Sequence, residues 1–258
     1  GCRSPLRRPH SDKISHKLEL AAHEKPFLDM LWQWQTYRRE IYNMVKIFRT
    51  IDNNVHQINE AQEGSWIALI DPTATEIVEI AEKYDIDVDH LRAPLDEEER
   101  SRIEVEDNYT LILVDIPAIE IRHDQRTYTT IPLGIILTQD IIVTVCTEDT
   151  PVLQNFVRSR VKEFSTKKKL RFVYQILYRT AAIYQANLRI IDKRRTEIEE
   201  RVGSDTDDSD LINLHELEST LVYFATSLRA NGVVLDRLTR YKRLEQYPED
   251  KELLDDVI

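Results

Sequence analysis

Glycine is scarce. The 258 residues hold only five, at Gly1, Gly64, Gly134, Gly203 and Gly232, where an average composition would supply about 7%. No two lie close enough to form a Walker loop, a GxGxxG turn or a GxSxG elbow, since each needs clustered glycines to bring backbone up to phosphate or to strain a turn. Those nucleotide-binding and hydrolase signatures are excluded. The two cysteines, Cys2 and Cys146, cannot staple a framework, and Cys146 in the apolar run 141–146 reads as a small buried hydrophobe in a reduced compartment. The seven histidines (His10, His16, His23, His56, His90, His123 and His215) make no HExxH and no Cys/His pairing, so spacing gives no zinc-type site. No run reaches the roughly 18 apolar residues of a membrane span. Positive charge is also in deficit. Lys and Arg total 35 against 46 acids, a net charge of -11, which argues against a nucleic-acid partner. No activated nucleophile or acid/base pair stands out, so the chain reads as a non-enzyme.

What is present is an ordinary soluble composition, 41% hydrophobic and 31% charged, long enough to bury a core without staples. Residues 1–43 differ from the rest: eight Lys/Arg stand against five acids, a net of +3, which leaves -14 for the remainder. This basic, Trp-bearing extension is either a surface anchor or targeting segment, or upstream sequence before a natural start at Met44. The composition break favours the second.

From 44 to 165 the pattern is mixed. Trp66-Ile67-Ala68-Leu69-Ile70 has strand length and stops at Asp71-Pro72. Thr73-Ala74-Thr75-Glu76 spells a capping box, and Ile77, Ile80, Ala81 and Tyr84 share one helical face. Asp85, Asp87 and Asp89 read as caps and turns. The stretch 96–103 is a charged helix or turn. Residues 109–116 form a buried strand ended by Pro117, and 129–137 with 141–145 form a hairpin. The expected class is α+β, a mixed β-sheet sandwiched by helices (α/β/α).

From 166 to 247 two long helical patterns flank the acidic loop 203–210. In the first, Val173, Ile176, Thr180, Ile183, Asn187 and Ile190 alternate by three and four, widened by Leu177, Tyr184 and Ile191. In the second, Leu214, Leu217, Leu221, Phe224, Leu228, Asn231, Leu235 and Leu238 do the same. A period of 3.5 over about three heptads is a coiled-coil seam. The short loop makes the pair an antiparallel hairpin, with Asn187 and Asn231 setting register. The loop lacks the turn glycine of an EF-hand and reads as a solvated tip. Residues 248–258 look like the start of a third helix.

The segment from Trp66 to Thr73, then Leu91 and the stretch Leu95-Asp96-Glu97-Glu98-Glu99-Arg100-Ser101-Arg102-Ile103-Glu104, then Asn108-Tyr109-Thr110-Leu111, resembles the cytoplasmic domain of CorA-type magnesium/cobalt transporters. So does the hairpin from Pro132-Leu133-Gly134 to Ile142-Val143-Thr144-Val145, with the helices that follow. The resemblance covers about 44–258. It implies a homopentameric funnel on the cytoplasmic side of the cell membrane, an outer helical hairpin, and a stalk helix running into a pore that this chain does not reach. It also implies Mg2+, with Co2+ and Zn2+ as alternatives, as transported and regulatory ion. Carboxylates between subunits would hold it, with Asp255 and Asp256 on the stalk side. Some relatives carry an acidic pair directly after the leucine matching Leu91, where this sequence reads Arg92 and Ala93. Either Arg92 replaces the ion with a salt bridge, or ions bind elsewhere, with Asp89 and Asp96 as candidates. The rival reading is an interaction module whose hairpin docks a partner helix without metal sensing.

Overall fold

The computed structural model describes residues 45–122, 125–202, 208–240, 250, 253 and 254, all within the compact unit Met44–Ile258. Seven strands are β1 (Val45–Ile51), β2 (Asn54–Ile58), β3 (Trp66–Ile70), β4 (Arg102–Val105), β5 (Tyr109–Arg122), β6 (Gln125–Thr138) and β7 (Ile142–Cys146). The α-helices among the described residues are α1 (Ala74–Tyr84), α2 (Val88–Arg92), α3 (Pro151–Val157), α4 (Lys169–Val202) and α5 (Asp208–Thr239). The strands form one sheet in the order β2-β1-β3-β7-β6-β5-β4. Among the described strands only β3 and β7 pair in parallel; the other neighbours are antiparallel.

Side chains alternate across the sheet with period two and divide the core into two layers. Ile67, Leu69, Leu111 and Leu113 face α1 and α2. Trp66, Ala68, Ile112, Val114 and Ile116 face α3, α4 and α5. The chain is therefore an α+β fold with helices on both faces of a mixed sheet. The Trp66 ring sits among Phe48, Phe156, Phe164 and Phe172, and its indole N–H donates to Thr144 Oγ1 at 2.9 Å. The expected capping box holds α1: Glu76 N donates to Thr73 Oγ1 and Thr73 N to Glu76 Oε2, at 3.2 and 2.7 Å.

Three expectations need correction. The strand expected to stop at Pro117 runs on to Arg122, with Pro117 opposite Thr130. On its other side β5 pairs with β4 only as far as Leu113, so the missing proline N–H costs no second ladder. The stretch read as a charged helix or turn includes a strand, β4. On α5 the helical seam is also rotated from the expected one. On α5 from Thr220 onward the buried positions are Thr220, Phe224, Ser227, Asn231, Val234 and Leu238, whereas Leu221 and Leu228 are 40% and 38% exposed. On α4 the expected stripe holds: Val173, Ile176, Leu177, Thr180, Tyr184, Asn187 and Ile191 are buried, while Ile190 is exposed.

The helices do run antiparallel: Tyr174 Oη donates to Leu238 O at 3.4 Å, and the rings of Tyr184 and Phe224 pack at 4.8 Å. But α5 packs on β4, β5 and β6 as well as on α4, so its buried stripe follows the groove between sheet and helix.

That groove explains Asn231. Beyond the reach of β4, the backbone of Asp115 has an open edge. Asp115 N donates to Asn231 Oδ1 at 2.8 Å, and Asn231 Nδ2 donates to Asp115 O at 2.7 Å. The amide side chain thus supplies both bonds a neighbouring strand would have made. Tyr184 Oη adds a bond to the same carbonyl at 3.2 Å. Thr220 Oγ1 likewise donates to Tyr128 O at 3.0 Å. Asn231 therefore fixes helix to sheet rather than the register of one helix on the other.

Candidate functional site

Asp85, Asp87 and Asp89, singled out in the sequence, lie at the end of α1 and the start of α2. Asp85 ends α1 in the left-handed conformation, at φ 52°. Asp87 caps α2, its carboxylate accepting from Asp89 N at 2.8 Å. Leu91, fully buried, anchors the short helix against the sheet. Pro94 follows in a 3-10 turn and packs over Gly134 of β6, where a Cβ would lie 2.2 Å from the proline Cγ. That contact is why a glycine is required between Leu133 and Ile135.

Asp89 lies on α2 with its side chain 88% exposed, 3.8 Å from Arg92 Nη1. Asp96 is exposed, and its carboxylate accepts from Glu98 N at 3.0 Å, closing the turn before β4. Arg92 is half-exposed and Ala93 ends α2. Asp255 and Asp256 lie outside the described residues. The described acid Asp250 is buried, with its carboxylate 3.7 Å from Arg171 Nη1.

Next to the expected acids stands a cluster that sequence spacing did not give. Glu104 and Glu106 are two apart on β4 and its continuation, which presents both on one face. His90, one turn of helix away from Asp87, lies over them. Its Nε2 is 3.3 Å from Glu104 Oε2, and its Nδ1 is 2.7 Å from Tyr109 Oη. Tyr109 Oη also accepts from Asp87 N at 3.1 Å. Arg102 binds Glu104 Oε1 and, beyond it, Glu99. The Arg102 bond holds the Glu104 carboxyl below its ordinary range, against the opposing effect of burial. Burial pushes the Tyr109 phenol up, so it stays neutral and can either donate or accept. The one hint in the sequence was alternation, acids at 104 and 106 ahead of Tyr109. His90 was invisible because it is fourteen residues from Glu104 and reaches it only through the fold.

Among the described residues no helix is long and apolar enough to cross a membrane.

A mixed seven-stranded sheet between short helices and a 34- and 32-residue helix pair is the architecture of the soluble domains of CorA-type transporters. The soluble domain of CorA from Methanocaldococcus jannaschii superposes with a TM-score of 0.71 at 26% identity, over 83% of this chain and 86% of that one. The complete CorA magnesium transporter of the same organism gives 0.71 at 24% identity, over 84% and 69%. The cytoplasmic domain of ZntB from Vibrio parahaemolyticus gives 0.60 at 12%, a likeness of fold alone, over 82% and 86%. In sequence, the chain is 28% identical over 201 residues to the cobalt/magnesium transport protein CorA of M. jannaschii. That alignment takes in 74% of this chain and 60% of the relative's length. Residues 61–258 match the family described as CorA-like Mg2+ transporter protein. The chain belongs to that family.

Proposed function

We propose that this chain is the cytoplasmic, metal-sensing part of a CorA-like divalent-cation transporter. Mg2+ is the leading ion, with Co2+ or Zn2+ as alternatives, and the assembly is a homopentamer joined to its pore on the C-terminal side. The observation that carries the reading is the family match over 61–258. In this reading 44–165 is the α/β domain, 166–247 the long helix pair and 248–258 the entry to the stalk, and the part described acts by binding and movement rather than by catalysis.

At the position of the acidic pair found in some relatives, a metal bridge does not fit the residues present. The Arg92 guanidinium is cationic and the Ala93 methyl has no donor, so neither ligates a cation. Arg92, half-exposed beside Asp89, instead offers its charge to acids of a neighbouring copy. Asp89, Asp96, Asp255 and Asp256 supply the oxygen donors for a hard ion. The -14 carried by residues 44–258 gives a divalent cation work to do, since stacked acidic copies repel and an ion bound only in the assembly stabilises it by mass action.

The test is a thermal melt with and without millimolar Mg2+, alongside mass by light scattering, on the parent and on Asp255→Ala. A Tm rise or larger assembly with Mg2+, lost in Asp255→Ala, is the expected outcome. Parent and variant responding identically would remove Asp255 from the site.

A further inference from the structure

Among the described residues, one group of three metal-ligating side chains comes together: His90, Glu104 and Glu106, whose ligand atoms all lie within 4.8 Å of one another. We propose that these three form a site for a borderline transition-metal ion of the Zn2+ or Co2+ kind, which pins α2 to the sheet edge. It is distinct from the oxygen-donor sensor above and stands without it, because every ligand belongs to one chain.

The donor chemistry selects the ion. One neutral imidazole and two carboxylates bring a charge of -2, which a divalent ion neutralises. Imidazole nitrogen suits Zn2+, Co2+ and Ni2+, whereas Mg2+ holds to oxygen and water. Zinc–ligand bonds of about 2.0–2.2 Å place tetrahedral donors about 3.4 Å apart. His90 Nε2 and Glu104 Oε2, at 3.3 Å, already have that separation. Glu106 is exposed and has room to close the remaining distance.

Two of the ligands are already oriented from behind, as metal ligands are. Arg102 occupies Glu104 Oε1 and leaves Oε2 for the ion. Tyr109 Oη stands at His90 Nδ1. With the imidazole proton on Nε2, toward Glu104, the phenol donates to Nδ1. When a metal takes Nε2, the proton moves to Nδ1 and the phenol accepts it, using the lone pair not engaged by Asp87 N. The same hydroxyl serves both tautomers, so binding needs no rearrangement behind the ring. The third ligand, Glu106, is placed by its backbone N–H, which donates to Tyr109 O at 2.9 Å and closes the turn between β4 and β5.

The consequence concerns α2. This five-residue helix carries Asp89 and Arg92 and leads into Ala93, the surface at which neighbouring copies are proposed to meet. An ion linking His90 of α2 to Glu104 and Glu106 ties that helix to the sheet, giving transition metal an input separate from Mg2+.

Isothermal titration of the chain with ZnCl2 and CoCl2, in excess MgCl2, tests this. The parent is expected to bind one equivalent that His90→Ala and Glu106→Gln weaken by about tenfold or more, with loss of the visible absorption of bound Co2+. Glu106 is exposed, so its variant leaves the fold intact, as circular dichroism would verify. His215→Ala, an exposed histidine on α5, serves as control and is expected to titrate like the parent. His90→Ala and Glu106→Gln titrating like the parent would overturn the proposal. So would displacement of Zn2+ by Mg2+.

Discussion

Two polar clusters flank β5 and treat their charges in opposite ways. On the long-helix side, Asp115, Tyr184, Ser227 and Asn231 are packed under α4 and α5, and their bonds go to one another and to the strand backbone. On the α2 side, His90, Glu104 and Glu106 sit at a corner with part of each side chain in water. The first cluster is structural because each backbone group it touches would otherwise be a buried orphan. The second has metal-ligating atoms gathered within 4.8 Å at a corner partly open to water, which is the condition for a ligand. Burial and partnership, rather than residue type, separate the two.

The largest effect should come from breaking the buried cluster. Asn231→Leu removes the bond to the Asp115 N–H and one of the two bonds to its carbonyl. The N–H is left unpaired, while the carbonyl keeps Tyr184. The expected cost is about 2 kcal/mol, and adding Tyr184→Phe orphans the carbonyl for about 1–2 kcal/mol more. Urea unfolding of the single and double variants checks this; additive losses smaller than about 0.5 kcal/mol each would mean that water replaces both bonds.

Gly134→Ala acts on the other side. The new methyl meets the Pro94 ring and forces the turn after α2 off the sheet, for about 1–3 kcal/mol as overpacking usually costs. Pro94→Ala in the same background should recover part of the loss. Absence of any recovery would place the strain elsewhere.

How much of this was legible follows from the same contrast. Local chemistry was readable: the capping box at Thr73, the Asp87 cap, the β6–β7 hairpin and the two long helices are each written in a few adjacent residues. So was the family, from the ordered motifs. The corner site was not, because His90 meets Glu104 only after β4 docks on β5, and β4 itself was hidden in a charged stretch. The heptad pattern misled for a related reason. Leu221 and Leu228 continue a seam in the sequence, but a helix lying on both a sheet and a partner buries the stripe between them. Asn231 was correctly seen as a polar residue on a buried face, and its partner, a strand edge left open by the shortness of β4, was beyond reach of any helical pattern.

The clusters should also respond to pH with opposite sign. The Glu104 carboxyl is held low by its bond to Arg102, so its stabilisation is present above the unfolded value of about 4.3 and is lost as pH falls through the lower folded value. Asp115 is raised, chiefly by burial, despite bonds from Ser227 and Ser101. The fold therefore prefers its protonated form, and stability falls as pH rises from about 3.9 through the raised value. Asp115→Asn should stabilise the chain at neutral pH and Glu104→Gln should destabilise it, with both differences shrinking in acid. Unfolding midpoints at neutral and acid pH read this directly, and two variants moving in the same direction would erase the distinction.

The smallest expected effect is the most discriminating for the helices. If Leu221 lay in a closed seam, Leu221→Asp would bury an unpaired carboxylate and cost several kcal/mol. Its side chain instead sits on the open flank of α5, 40% exposed, next to Thr220, which faces the sheet and bonds Tyr128. A carboxylate there keeps its water, so the change should stay within about 0.5 kcal/mol. Phe224→Asp, one turn along and fully buried against Tyr184, provides the contrast, because its charge is shut away from solvent. Thermal melts in which the two variants fall together would restore the two-helix seam, and a melt in which only Phe224→Asp falls would confirm that α5 reads the sheet first and its partner helix second.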